Sequence, residues 1–144
     1  MAHNVEKTIR VKIPASKIWE VLNDYSSVEK FALTIKSSPI IGDKTSGLGA
    51  RRECTFNDGS TLIEEIIEYK KGESFRMELS DFSLPLKSMY AEMGVKEVDA
   101  NTCDIYMSSD FVVKGGPLGL VMGFLLMRPV MKGVFKQVLT GLAY

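Results

Sequence analysis

The chain has 144 residues, 45% of them hydrophobic, and its 18 Lys and Arg balance its 18 Asp and Glu. A chain of this length can bury one sizeable core without metal or disulfide support, so we expect a single domain over residues 1–144. Because the net charge is zero, no global positive field favours nucleic acid as a partner. The only histidine is His3, near an N-terminus that we expect to be frayed, which excludes most Ser-His hydrolase and zinc-enzyme mechanisms.

The two cysteines, Cys54 and Cys103, are isolated and match no metal-binding or redox spacing. We expect both to be buried, reduced thiols in a cytoplasmic protein. The N-terminus lacks an apolar segment of signal-peptide length. The longest apolar run, residues 117–127, is about half the length of a bilayer-spanning helix, so it does not predict a transmembrane segment.

The first part of the chain predicts a strand followed by two short helices. Apolar and polar residues alternate over residues 5–13, which is the period of a strand with one buried face. Pro14 suits a first helical turn, and Ile18 and Leu22 then share a helix face. Residues 26–32 begin with two serines suited to capping and predict the second helix, so together the helices form one bent element.

Residues 35–111 contain turn signals at intervals of roughly ten residues, which indicates an antiparallel meander. The clearest hairpin has Asp58-Gly59 at its tip, where the glycine suits the positive-φ position that follows a type I turn. This turn sets Arg52 opposite Glu64, because the residue numbers of two paired positions in an antiparallel hairpin always add up to the same value. A two-residue loop would instead set Arg52 opposite Glu65.

The C-terminal part predicts a long amphipathic helix. Basic residues recur every four positions from Arg128 to Lys136, while apolar residues cover another side. Pro129 cannot donate a backbone hydrogen bond, so the helix either begins near it or is kinked there. The preceding residues 117–127 are nearly apolar all round and must be buried or face an apolar ligand. We interpret most of this segment as a gate.

This order of elements predicts an α+β fold, in which a curved antiparallel sheet of about seven strands grips the long C-terminal helix. A helix touches the concave face of a bent sheet only along a line, so we expect an apolar cavity between them. The sequence contains eight methionines, whose flexible thioethers suit an adaptable cavity lining.

Four segments occur in an order that is specific enough to identify a family. They are residues 13–25 (IPASKIWEVLNDY), residues 47–52 (GLGARR), Asp58-Gly59 followed by residues 62–64, and residues 116–119 leading into residues 127–129. Together they resemble the helix-grip superfamily of birch-pollen allergens and START lipid-transfer domains, and within it the polyketide cyclase/dehydrase and lipid transport family. The resemblance covers essentially the whole chain. It implies a deep cavity for a hydrophobic small molecule, in proteins that include carriers, sensors and some enzymes.

Arg52 and Glu64 form the sharpest candidate pair. In the predicted register they lie across neighbouring strands on the more apolar face of the hairpin, where a charged pair is tolerated only if its groups meet each other or a polar ligand group. Arg52 could orient a ligand carboxylate or carbonyl, with Glu64 holding the guanidinium in place. A purely structural ion pair explains the pattern too, and the sequence leaves both interpretations open.

We expect a non-catalytic protein that binds or transports a lipid, isoprenoid or polyketide-like molecule. The alternatives are a cyclase/dehydratase-type enzyme with Glu64 or Asp110 as proton acceptor, and a membrane-surface or protein-interaction module that uses the C-terminal helix. We expect no metal, no cofactor, no nucleic-acid partner, at most peripheral membrane contact, and a monomer or weak dimer. The candidate ligand-contacting residues are Arg52, Glu64, Phe31, Phe75, Met77, Tyr90, Tyr106, Phe124, Met127 and Met131.

Overall fold

The computed structural model describes residues 2–82, 86–114 and 128–143. In these ranges, eight strands form one antiparallel sheet. The strands are β1 (Ala2–Val11), β2 (Ile35–Ser37), β3 (Ile40–Ile41), β4 (Arg51–Phe56), β5 (Thr61–Lys70), β6 (Ser74–Ser80), β7 (Leu86–Asp99) and β8 (Thr102–Val113). The helices within the described ranges are α1 (Ala15–Asn23), a 3-10 helix (Tyr25–Lys30) and α2 (Arg128–Ala143).

The sheet runs in the order β1-β8-β7-β6-β5-β4-β2, and the two-residue β3 also pairs with β4. Register shifts between Ile66 and Glu68 in β5, and at both ends of β7, mark bulges that increase the local twist of the sheet. The result is a curled sheet with a terminal helix, which confirms the predicted α+β helix-grip fold and its path of about seven strands.

The hairpin between β4 and β5 has the predicted register. Gly59 has a φ of 89°, and its backbone N–H donates to the Phe56 carbonyl at 3.0 Å. Arg52 lies opposite Glu64. The two-residue alternative, with Arg52 opposite Glu65, is therefore wrong.

The N-terminal strand corrects one expectation. β1 begins at Ala2 and pairs with β8 along its whole length. His3 is buried within it, and its ring stacks on Phe111 with a centroid distance of 5.1 Å. The predicted fraying at His3 is wrong, because a strand edge and an aromatic ring hold this residue.

The C-terminal half of α2 is fixed against the residues that follow the 3-10 helix. Gln137 donates through Nε2 to the Phe31 carbonyl at 3.0 Å, and its Oε1 accepts from the Leu33 backbone N–H at 3.0 Å. A Cβ added at Gly141 would collide with the Phe31 carbonyl, so the glycine permits this close approach. Val138 and Leu139 are buried on the same half of the helix.

Candidate ligand cavity

A cavity of about 700 Å³ lies between the concave face of the sheet and α2. Volumes of this size accommodate small molecules of drug size. Most of the described lining is apolar. Five methionines contribute to it, namely Met77, Met89, Met93 and Met107 from the sheet and Met131 from α2. Unbranched thioether side chains can repack around guests of different shape.

The distribution of large and small side chains explains where the cavity lies. The interior beside α1 is filled by aromatic rings, since Phe75 contacts Trp19 and Tyr25 at centroid distances of 6.2 and 5.8 Å. The cavity wall instead includes the small residues Ala32 and Ala91. Protein interiors are normally close-packed. Here α2 is held in place by its C-terminal half, and the small side chains that face it are too short to fill the space beneath it, so a void remains.

Polar residues form one rim of the cavity at the tip of the β4–β5 hairpin. Asp58 accepts hydrogen bonds from the backbone N–H and the hydroxyl of Ser60 at 2.9 and 2.6 Å. Asn57 donates through Nδ2 to the Leu33 carbonyl at 2.7 Å. The rim is therefore tied to the same chain segment that fixes α2.

Arg52 lies at the cavity wall in a site that is almost closed to solvent. Its Nε donates to Glu64 Oε1 at 2.8 Å and its Nη1 donates to the Tyr25 carbonyl at 2.9 Å. Nη2 makes a 3.5 Å contact with the sulfur of Met77. The guanidinium carbon also lies 3.9 Å from the centroid of the Tyr25 ring, which is cation–π geometry. The protein thus holds the guanidinium on several sides.

Glu64 uses one carboxylate oxygen for its protein contacts. Oε1 accepts from Arg52 and from the thiol of Cys54, the latter at 3.0 Å. Among the residues that the structure describes, none donates a hydrogen bond to Oε2. Glu64 lines the cavity and its side chain is 11% exposed. A guest in the cavity can therefore approach this carboxylate, which has an oxygen left to accept a hydrogen bond.

Charge and burial shift the pKa values of Arg52 and of two neighbouring groups, Tyr25 and Cys54. Burial is the largest influence on Arg52 and lowers the pKa of its guanidinium, but the charge and hydrogen bond of Glu64, together with Tyr25 and Cys54, outweigh burial, so the pKa is raised. Burial raises the pKa of the Tyr25 hydroxyl, which donates to the Glu64 backbone carbonyl at 3.0 Å. Burial and the charge of Glu64 raise the pKa of the Cys54 thiol. Tyr25 and Cys54 therefore stay protonated, and neither is an activated base or nucleophile at neutral pH.

The structure brings four of the ten predicted ligand-contacting residues to the cavity wall: Arg52, Glu64, Met77 and Met131. Phe31 and Phe75 are buried in the core, where their backbone or ring contacts neighbouring elements. Neither belongs to the described lining. Phe124 and Met127 lie outside the described residues, as does the predicted gate over residues 118–127.

Tyr90 and Tyr106 lie on the opposite face of the sheet from the cavity. They alternate along their strands with the lining residues Ala91 and Met107. The Tyr106 hydroxyl donates to Glu92 at 2.9 Å, and the Tyr90 ring lies 5.2 Å from the Arg76 guanidinium carbon. Neither tyrosine belongs to the described lining of the cavity, so contact between these two side chains and a guest stays an untested prediction.

Asp110, the alternative proton acceptor, does not belong to the described lining of the cavity. It accepts from Asn4 Nδ2 at 2.7 Å and forms an ion pair with Arg76 at 2.9 Å. These bonds hold the pKa of its carboxyl below the ordinary value. The raised pKa expected of a pocket acid is absent at Asp110, because donors from β1 and β6 stabilise its charged form.

The cavity wall also includes residues that the sequence pattern did not identify as ligand contacts, among them Val130 and Val134 of α2 and Asn57 and Asp58 of the hairpin. The apolar period of α2 contained the signal for the first two. The hairpin tip carried only turn chemistry, and its contact with residue 33 is a long-range feature that no local pattern encodes.

The sequence profile of the family described as polyketide cyclase/dehydrase and lipid transport matches residues 2–144. No curated protein sequence matches the chain significantly. In the described part of the chain, no helix is long and apolar enough to cross a bilayer. No group of three or more His, Cys, Asp or Glu in the described ranges could hold a metal ion.

Solved structures share the fold over nearly the whole chain. A solution structure from Thermobifida fusca has a TM-score of 0.78 at 20% identity, covering 97% of this chain and 90% of that one. The Zhui aromatase/cyclase from Streptomyces has a TM-score of 0.74 at 20% identity, covering 99% and 90%. Truncated norcoclaurine synthase from Thalictrum flavum has a TM-score of 0.75 at 16% identity, covering 99% and 92%. At such identities the likeness establishes the fold alone.

Proposed function

The chain belongs to the polyketide cyclase/dehydrase and lipid transport family, and we propose that it binds or carries a hydrophobic small molecule without transforming it. The observation that carries this proposal is the cavity of about 700 Å³, with its apolar lining and one deep polar point at Arg52 and Glu64. Binding sites for small apolar molecules combine these two features. A cytoplasmic location and a monomeric or weakly dimeric state stay predictions.

The protonation of the surrounding groups supports binding over catalysis. The raised pKa values of Tyr25 and Cys54 keep the hydroxyl and the thiol neutral. Arg52 is held by Glu64 and by the Tyr25 carbonyl, so its charge is already compensated. A site that stabilises developing charge would present free, oriented donors to the substrate, and this site uses most of its donors internally.

Native mass spectrometry of gently purified protein tests the proposal. We expect added mass from a hydrophobic compound that organic solvent extracts, or stoichiometric uptake of an apolar fluorescent dye by the emptied protein. Dye uptake should reach one equivalent with saturation. A protein that carries no compound and takes up neither dye nor lipid would contradict the proposal.

A cyclase/dehydratase-type enzyme is the second candidate, because the Glu64 carboxylate lies at the cavity wall beside the Arg52 guanidinium. Two of the similar structures are described as a norcoclaurine synthase and an aromatase/cyclase. This candidate predicts that Glu64→Gln abolishes turnover of a bound apolar carbonyl compound while the variant still folds and binds. The first candidate predicts that the bound compound leaves chemically unchanged from both proteins.

A further inference from the structure

We infer that the natural guest carries a neutral hydroxyl group, which donates to Glu64 Oε2, and that the cavity discriminates against carboxylates and ammonium groups of the same chain length. This inference rests on the proposed binding function. It specifies the class of guest as a neutral apolar alcohol, phenol or enol.

The deep polar point of the cavity consists of Arg52 and Glu64, whose opposite charges balance each other. Arg52 and Glu64 form an ion pair at 2.8 Å, with only 3% and 11% of their side chains exposed. Arg52 is the only cationic residue in the described lining of the cavity. A guest carboxylate would add a second negative charge beside Glu64 with no further described cation to compensate it, in a medium where uncompensated charge is costly.

Arg52 and Glu64 each keep some hydrogen-bonding capacity that the protein does not use. Glu64 lines the cavity, and its Oε1 already accepts from Arg52 and Cys54, whereas Oε2 has no donor among the described residues. On Arg52, Nε and Nη1 donate to oxygen atoms, and Nη2 contacts only the weakly accepting sulfur of Met77. The open acceptor and the least satisfied donor therefore belong to the two residues of one ion pair at the cavity wall.

A hydroxyl group matches this arrangement because it both donates and accepts. It can donate to Oε2 and accept from Nη2 in place of the Met77 sulfur. A ketone or ether can only accept and leaves Oε2 without a donor. An ammonium group can donate, but it brings a positive charge beside the Arg52 guanidinium and loses its hydration in an apolar cavity.

A series of probes with ten or eleven carbons and different head groups tests the inference in the wild-type protein. Decanol, decyl methyl ether, decanoate at pH 8 and decylammonium compete with an apolar fluorescent dye. We expect decanol to bind about tenfold or more tightly than each of the other three, since a site built for a donor rejects analogues that lack it or carry charge. Equal affinities, or tighter binding of decanoate or decylammonium, would overturn the inference while leaving the binding function intact. Failure of both dye and probes to bind would overturn the two together.

A charge variant tests the same point independently. In Glu64→Gln the Arg52 charge loses its compensation, so the ratio of decanol to decanoate affinity should fall by about tenfold or more. The matched control is Glu65→Gln, which removes the same charge from a half-exposed ion pair with Arg51 on the neighbouring position of β5. A folded Glu64→Gln protein that keeps the wild-type ratio of decanol to decanoate affinity would overturn the inference. If this variant does not fold, the probe series in the wild-type protein decides the matter alone.

Discussion

The Arg52 guanidinium is nearly solvent-free, and its charge is tolerated because Glu64, the Tyr25 carbonyl and the Tyr25 ring surround it. The register that joins Arg52 to Glu64 follows from a local signal, the positive φ of Gly59 at the hairpin tip. The role of Tyr25 could not be predicted in this way. It reaches the pair from a distant part of the chain, and no periodicity connects the two.

Replacing only Arg52 should lower the free energy of unfolding more than replacing Arg52 and Glu64 together. Arg52→Met leaves Glu64 buried without its partner, and we expect a loss of about 3 kcal/mol in the free energy of unfolding. The double variant Arg52→Met with Glu64→Leu should recover most of that loss. Urea denaturation measures both, with Arg51→Met as the half-exposed control. Equal losses for Arg52→Met and Arg51→Met would contradict a buried, compensated pair.

The Cys54 thiol should be slow to alkylate even in mildly alkaline solution. Its pKa is raised by burial and by Glu64, so little of the reactive thiolate is present. In a Cys103→Ser background, we expect iodoacetamide at pH 8 to react far more slowly with the folded protein than with the protein in urea. Because Cys54 lines the cavity, a bound guest should slow the reaction further. Equal rates in folded and unfolded protein would contradict this environment.

At the scale of elements, the two halves of α2 have different neighbours. Gln137 and Gly141 hold the C-terminal half against Phe31, whereas Val130 and Val134 lie over the cavity. The apolar period of the sequence was sufficient to predict the helix. It could not predict which half is anchored, because that depends on a close approach between residues more than a hundred positions apart.

Two glycines of α2 should respond to alanine in opposite directions. Gly133→Ala meets open space and should stabilise the protein by about 0.5–1 kcal/mol through helix propensity. Gly141→Ala should destabilise it by about 1–3 kcal/mol, because the added methyl group meets the Phe31 carbonyl. Thermal and urea unfolding measure both variants. A stabilising effect of Gly141→Ala would contradict the close packing of this half.

The outer face of the sheet should contribute a pH-dependent part of the stability. The bonds from Asn4 and Arg76 lower the pKa of Asp110 below its ordinary value of 3.8, so the folded state favours the charged form. This contribution is present above that ordinary value and is lost as the pH falls through the lower folded pKa. Asp110→Asn should therefore reduce the stability at pH 7 and flatten its decline below about pH 4. The exposed Asp43→Asn is the control, and an unchanged acid profile for Asp110→Asn would contradict the assignment.

At the scale of the whole molecule, the order of elements was enough to predict a curved sheet that grips a helix over a void. Only some of the residues that line the cavity could be predicted from the sequence. Strand alternation identifies two faces, but which face of β7 or β8 points inward depends on the curl of the complete sheet. Tyr90 and Tyr106 were therefore expected inside and lie outside, while neighbouring Ala91 and Met107 line the cavity.

The most direct test of the account is dye titration of two tryptophan variants. Ala91→Trp places a large side chain in the cavity, and Ala100→Trp makes the same change at the exposed turn between β7 and β8. The account predicts that Ala91→Trp folds and loses stoichiometric dye and lipid binding, while Ala100→Trp binds as wild type does. Undiminished binding by a folded Ala91→Trp protein would show that the guest does not occupy this cavity.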